Sequence, residues 1–128
     1  MNDGKPPSII VLADNDPFIV RAYKSGLEEA GYVVIVAEDG EAAVSQIRAL
    51  RPNLVLLEII LPKQDGFSVL KTVKADPTIS DIPIVVLTSL SQRSDEDAAR
   101  ASGAADFLVK TEVSLKDVLM HIERYMTS

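Results

Sequence analysis

A chain of 128 residues can build one domain around a single well-formed core and is too short for two. With 47% apolar and 25% charged residues it reads as globular, not disordered, and its formal charge of −6 argues against nucleic acid or an anionic membrane as the main partner. Having no cysteine, it has no disulfide, thiol catalysis or thiolate metal site.

From the N-terminus, "MNDGKPP" (1–7) reads as a loose tail lacking the apolar core of a signal peptide. "SIIVLA" (8–13) is a short continuous apolar run, predicted as the first strand. A helix follows over 17–30, with Ile19, Ala22 or Tyr23, Leu27 and Ala30 on one stripe and Gly31 just past its end. "YVVIVA" (32–37) is the second strand, and "GEAAVSQIRAL" (40–50) places Ala43, Ile47 and Leu50 at helical spacing. "LVLLE" (54–58) is the third strand; Asp65-Gly66 is turn chemistry that opens a helix over 66–76. The fourth strand is "IPIVVLT" (82–88), with Pro83 at its first residues. Residues 93–102 form a polar, weakly patterned helix whose acidic run, Asp95 to Asp97, favours its start. "ADFLVK" (105–110) is the fifth strand and 114–126 the last helix, with Ser114 and Asp117 spaced as a capping box. His121, the one histidine, reads as a solvent-facing or half-buried residue of that helix.

Five apolar strands alternating with five helices describe an α/β fold, a parallel sheet covered on both faces. In such sheets ligands bind beyond the carboxyl ends of the strands. What stands there is Asp14, Asn15 and Asp16 after the first strand and Glu38-Asp39 after the second. Glu58 follows the third strand, Thr88-Ser89 the fourth and Lys110 the fifth. Carboxylates, a hydroxyl and an ammonium at one edge suit phosphate chemistry with a divalent cation. Glu58 stands out, since a charge ending a buried strand is costly unless paired, hydrated or bound.

Four runs carry a family resemblance: the acidic group after strand one with Pro17 behind it, the run from Pro52 to Gly66, "IPIVVLTS" and "GAADFLVK". Together they resemble the receiver domains of two-component response regulators over essentially the whole chain, 1–128 as a single domain. The resemblance implies a doubly wound, flavodoxin-like (βα)5 fold with strand order 2-1-3-4-5. It also implies transfer of a phosphoryl group from a histidine kinase to an acid on strand three, with Mg2+ present. By position, Asp14 and Asn15 fall on the acidic pair, Glu58 on the phosphoacceptor, and the Ile60 carbonyl on a backbone metal ligand. Thr88 falls on the switch hydroxyl, Lys110 on the phosphate-contacting lysine and Phe107 on the switch aromatic. The partner implied is a sensor kinase or a downstream protein in trans, with a homodimer through the fourth-helix, fifth-strand and fifth-helix face as a further option.

This sequence departs from the family at three positions. The acceptor is Glu, not Asp; the second acid of the pair is Asn15; and Thr111 stands where a proline follows the lysine, so the usual cis peptide is in doubt. Glu58 could still accept phosphoryl, could hold a permanent charge in the phosphoryl position, or could merely pair with Lys110. Its extra methylene moves the carboxylate by up to roughly 1.5 Å, and a misplacement of about 1 Å can cost around a hundredfold in a positioned reaction. Asp14, Glu58 and Lys110 carry a net −1, where three carboxylates and a lysine would carry −2. Mg2+ binding is therefore expected to be weak and the receiver to act independently of phosphorylation. It is expected to be cytoplasmic, with no membrane span, no nucleic-acid contact and no attached output domain. One enzyme alternative is a haloacid-dehalogenase-type phosphatase, with Asp14 as nucleophile and Asp16 as general acid.

Overall fold

The computed structural model describes residues 6–126. Five helices alternate with five strands: β1 (Ile9–Ala13), α1 (Pro17–Glu29), β2 (Val33–Ala37), α2 (Gly40–Leu50), β3 (Leu54–Leu57), α3 (Gly66–Ala75), β4 (Ile84–Thr88), α4 (Arg93–Ala101), β5 (Asp106–Val109) and α5 (Leu115–Glu123). The strands form one parallel sheet in the order β2-β1-β3-β4-β5. The expected loose tail, 1–7, falls largely outside the described residues.

Side-chain alternation divides the core in two. Ile10, Leu12, Leu54, Leu56, Val85, Leu87 and Leu108 face α1 and α5, where Tyr23, Leu27, Val118 and Ile122 meet them. Val11, Ala13, Val55, Leu57, Ile84, Val86 and Phe107 face the other way, against Ala43, Val44 and Ile47 of α2, Val69, Leu70 and Val73 of α3, and Ala99 of α4. Period-two strands between period-3.6 helices give a three-layer sandwich. β3 and β4 are buried throughout, which is why their sequences run apolar without alternation.

Some ends differ from the sequence reading. β2 is an edge strand, and Val33 at its start is exposed. Leu50, expected on the buried stripe of α2, is 37% exposed as the last residue of the helix, which is capped by Arg51 in the left-handed region. Ala30 caps α1 instead of extending its stripe, and Gly31 follows at φ +100. α5 stops at Glu123, three residues early, although its capping box forms as expected between Ser114 and Asp117. Pro83 precedes β4; its carbonyl accepts from the Val55 N–H, continuing the ladder a proline could not donate to. No helix of the described residues is long and apolar enough to cross a membrane.

Candidate functional site

Strand order reverses between β1 and β3, and there the sheet presents its polar edge. The ladder runs one residue past each strand: Asp14 N–H donates to Ala37, Glu58 N–H to Ala13 and Lys110 N–H to Thr88, at 2.8–3.0 Å. These bonds fix the Cα atoms from which the functional side chains leave. An open pocket of about 440 Å³ results, lined by Asp14, Asn15, Asp16, Ile19, Glu58, Ile60, Ser89, Lys110 and Thr111.

Lys110 is the centre of its electrostatics. The ammonium lies 2.7 Å from Asp14 Oδ2 and 3.4 Å from Glu58 Oε1. Asp14 is 2% and Glu58 5% exposed. Burial by itself would lower the Lys110 ammonium; the hydrogen bond to Asp14 and the charges of Glu58 and Asp14 outweigh it and hold the group above its ordinary value. The remaining oxygens are also engaged. Asp14 Oδ1 accepts from the Asp16 N–H at 2.9 Å, and Glu58 Oε2 from the N–H of the next residue, Ile59, at 2.8 Å. The longer glutamate side chain thus folds back on its own backbone and turns its other oxygen toward Lys110.

The hydroxyl that reaches Glu58 is that of Ser89, at 3.5 Å. Thr88 is fully buried, and its Oγ1 accepts from the Leu90 N–H at 3.3 Å, so it shapes the turn after β4 and makes no bond to Glu58. Phe107 is buried at 8% exposure in the core beneath α4. Ile60 is largely exposed at the pocket rim, on the loop from β3 to α3. Asp16 turns its Oδ1 to the Phe18 N–H and caps α1, the wrong employment for a general acid. Asp65 likewise caps α3, and Gly66 lets that helix start directly against the site: a Cβ there would lie 2.6 Å from the Glu58 carbonyl oxygen. Among the described residues there is no cis peptide bond, that of Lys110-Thr111 included.

Mg2+ needs near-octahedral oxygen ligation and sheds its waters reluctantly. The residues present do not fit it: both carboxylates are already bonded within the chain, their shared counter-ion is Lys110, and Asn15 supplies no charge. Among the described residues no group of three His, Cys, Asp or Glu side chains could hold a metal ion.

A second polar cluster escaped the sequence reading. Asp106, inside β5 and nearly buried, contacts His121 Nδ1 at 2.8 Å, Arg100 at 3.4 Å and the Tyr125 hydroxyl at 3.4 Å. The available signal was an acid at the second residue of the strand predicted over 105–110, directly ahead of an apolar run, which needs a partner; His121 is that partner and is half-buried.

A doubly wound sheet whose switch point carries an acid after β1, an acid after β3, a serine hydroxyl after β4 and a lysine after β5 is the architecture of a signal receiver. Residues 10–123 match the family described as response regulator receiver domain, and the chain belongs to that family. It is 36% identical over 121 residues to a probable transcriptional regulator, ycf27, of Porphyridium aerugineum, covering 90% of this chain and 49% of that protein. Over 101 residues it is 40% identical to the DNA-binding dual master transcriptional regulator RpaA of Synechocystis, covering 79% of this chain and 42% of that one. The chain thus spans about half the length of these relatives or less. A putative response regulator from Chloroflexus aurantiacus superimposes with a TM-score of 0.88 at 27% identity, over 94% of this chain and 98% of the other. The family match favours the receiver reading over the haloacid-dehalogenase alternative.

Proposed function

We propose that this receiver signals without being phosphorylated, with Glu58 supplying a permanent negative charge where its relatives acquire a phosphoryl group. The observation that carries the reading is the Lys110 ammonium held jointly by Asp14 and Glu58, all three side chains largely buried. One carboxylate charge stands in for the roughly −1.5 to −2 of a phosphoryl group, so the imitation is partial. Phe107 turned into the core is consistent with an active-like arrangement of the α4 and β5 face. The charge at position 58 would favour that arrangement because it makes a contact there that the alternative lacks. Partners would be a sensor kinase or a downstream protein, or a second copy through the face of α4, β5 and α5.

Two features oppose phosphoryl transfer to Glu58. Its Oε2 is tied to the Ile59 N–H and its Oε1 to Lys110, and the neutral Asn15 leaves the metal side of the pocket short of charge. Intact-mass measurement after incubation with acetyl phosphate and Mg2+ tests this. The wild-type chain is expected to gain no stable phosphoryl group and Glu58→Asp to gain some. A single phosphoryl adduct on wild type that vanishes in Glu58→Gln would overturn the reading.

A further inference from the structure

We infer that Lys110 is the resident cation of this pocket, holding Asp14 and Glu58 together where a divalent metal would have to bind, and that it keeps Mg2+ out. This deepens the reading of the pocket as a receiver site and rests on it. Each of the four carboxylate oxygens already accepts from the chain itself: Asp14 Oδ1 from Asp16, Asp14 Oδ2 from Lys110, Glu58 Oε2 from Ile59, and Glu58 Oε1 from Lys110 and Ser89. Among the described residues no buried side-chain nitrogen or oxygen is left without a partner. A cation entering the open pocket would therefore meet carboxylates that already have donors, not unpaired ones.

A metal ion would have to break a 2.7 Å charge-assisted bond between a carboxylate that is 2% exposed and an ammonium that is 12% exposed. It would then share the pocket with the ammonium it displaced, two positive groups within a few ångströms. Asn15 offers no charge in return. Glu58 contributes through its length, since the fold-back onto Ile59 aims Oε1 at Lys110 and brings both acids onto one cation. Lys110 thus offsets one of the two carboxylate charges from within and leaves the pocket at a net −1, a weaker attraction for a divalent cation than three carboxylates would give.

Calorimetric titration with Mn2+ and Mg2+, on wild type, Lys110→Met and Lys110→Arg, tests the idea. Wild type and Lys110→Arg are expected to bind no metal at submillimolar concentration, whereas Lys110→Met, with two carboxylates released, binds at least about tenfold more tightly. If Lys110→Met folds poorly, its melting temperature should climb with Mn2+ while that of wild type stays level. In parallel, the wild-type Lys110 ammonium resonance should move only as metal enters. Three results would each overturn the inference: Lys110→Met binding no tighter than wild type, Lys110→Met gaining no thermal stability from Mn2+, or submillimolar saturation of wild type with the lysine resonance unmoved. No phosphodonor is present in these titrations, so their outcome and that of acetyl phosphate labelling are independent.

Discussion

At the level of single residues, the pocket is held by one cation and two anions, and removing them has unequal consequences. Taking away Lys110 leaves two buried carboxylates facing each other, whereas taking away the Glu58 charge leaves Lys110 with its shorter bond to Asp14 intact. Breaking a buried pair from one side typically costs about 3–5 kcal/mol. Lys110→Met should therefore lose that much in urea denaturation without added metal, and Glu58→Gln clearly less. Equal losses would mean that Asp14 and Glu58 do not share the lysine. Positions 14, 58 and 110 were legible in the sequence because each directly follows an apolar run. That Ser89 and not Thr88 touches Glu58 was not legible, since one residue decides whether a hydroxyl at a strand end faces the pocket or the following turn.

Among the elements, helix ends show how strongly local sequence specifies structure. α5 begins with a reciprocal box: Ser114 Oγ accepts from the Asp117 N–H at 3.1 Å and Asp117 Oδ2 from the Ser114 N–H at 2.9 Å. α4 begins at Gln92 with no side-chain bond, relying on Asp95 and Glu96 in its first turn. Ser114→Ala is expected to cost about 1 kcal/mol in chemical denaturation, and Gln92→Ala almost nothing. A loss at Gln92 as large as that at Ser114 would show that the unbonded cap matters after all. α4 also buries only Ala99, and its arginine ties it to β5 through Asp106. Its polar sequence gave a weak pattern for the same reason that its packing is thin: few side chains face the sheet.

For the molecule as a whole, Asp106 joins three elements by accepting from Arg100 of α4, His121 of α5 and Tyr125 beyond it. Burial by itself would raise its carboxyl, but the hydrogen bonds from His121 and the Phe107 N–H, with the charges of His121 and Arg100, hold it below the ordinary carboxylate value. A carboxyl with a lowered folded pKa contributes stability that is complete above its unfolded value of about 3.9 and is lost as pH falls through the folded one. Wild type should therefore lose more stability than Asp106→Asn between about pH 5 and about pH 2, measured as the urea midpoint at each pH. Parallel curves would remove Asp106 as a contributor. Asp76 and Asp117, whose carboxyls are also lowered, stay in both proteins and cancel.

The order of strands and helices, the two-sided burial of the sheet and the polar edge at its switch point follow from sequence alone. A continuous apolar run in β3 or β4 can be satisfied only between two helical layers, and a βα repeat leaves its strand ends on one side. Tertiary structure decided which oxygen meets which donor. The fold-back of Glu58 onto Ile59, the sharing of Lys110 between two acids and the link from Asp106 to His121 span separations of 1 to 96 residues along the chain. Periodicity places a side chain on a face or at an edge; it does not set its rotamer, and for a buried side chain the rotamer determines whether a carboxylate meets an ammonium, a hydroxyl or a backbone N–H.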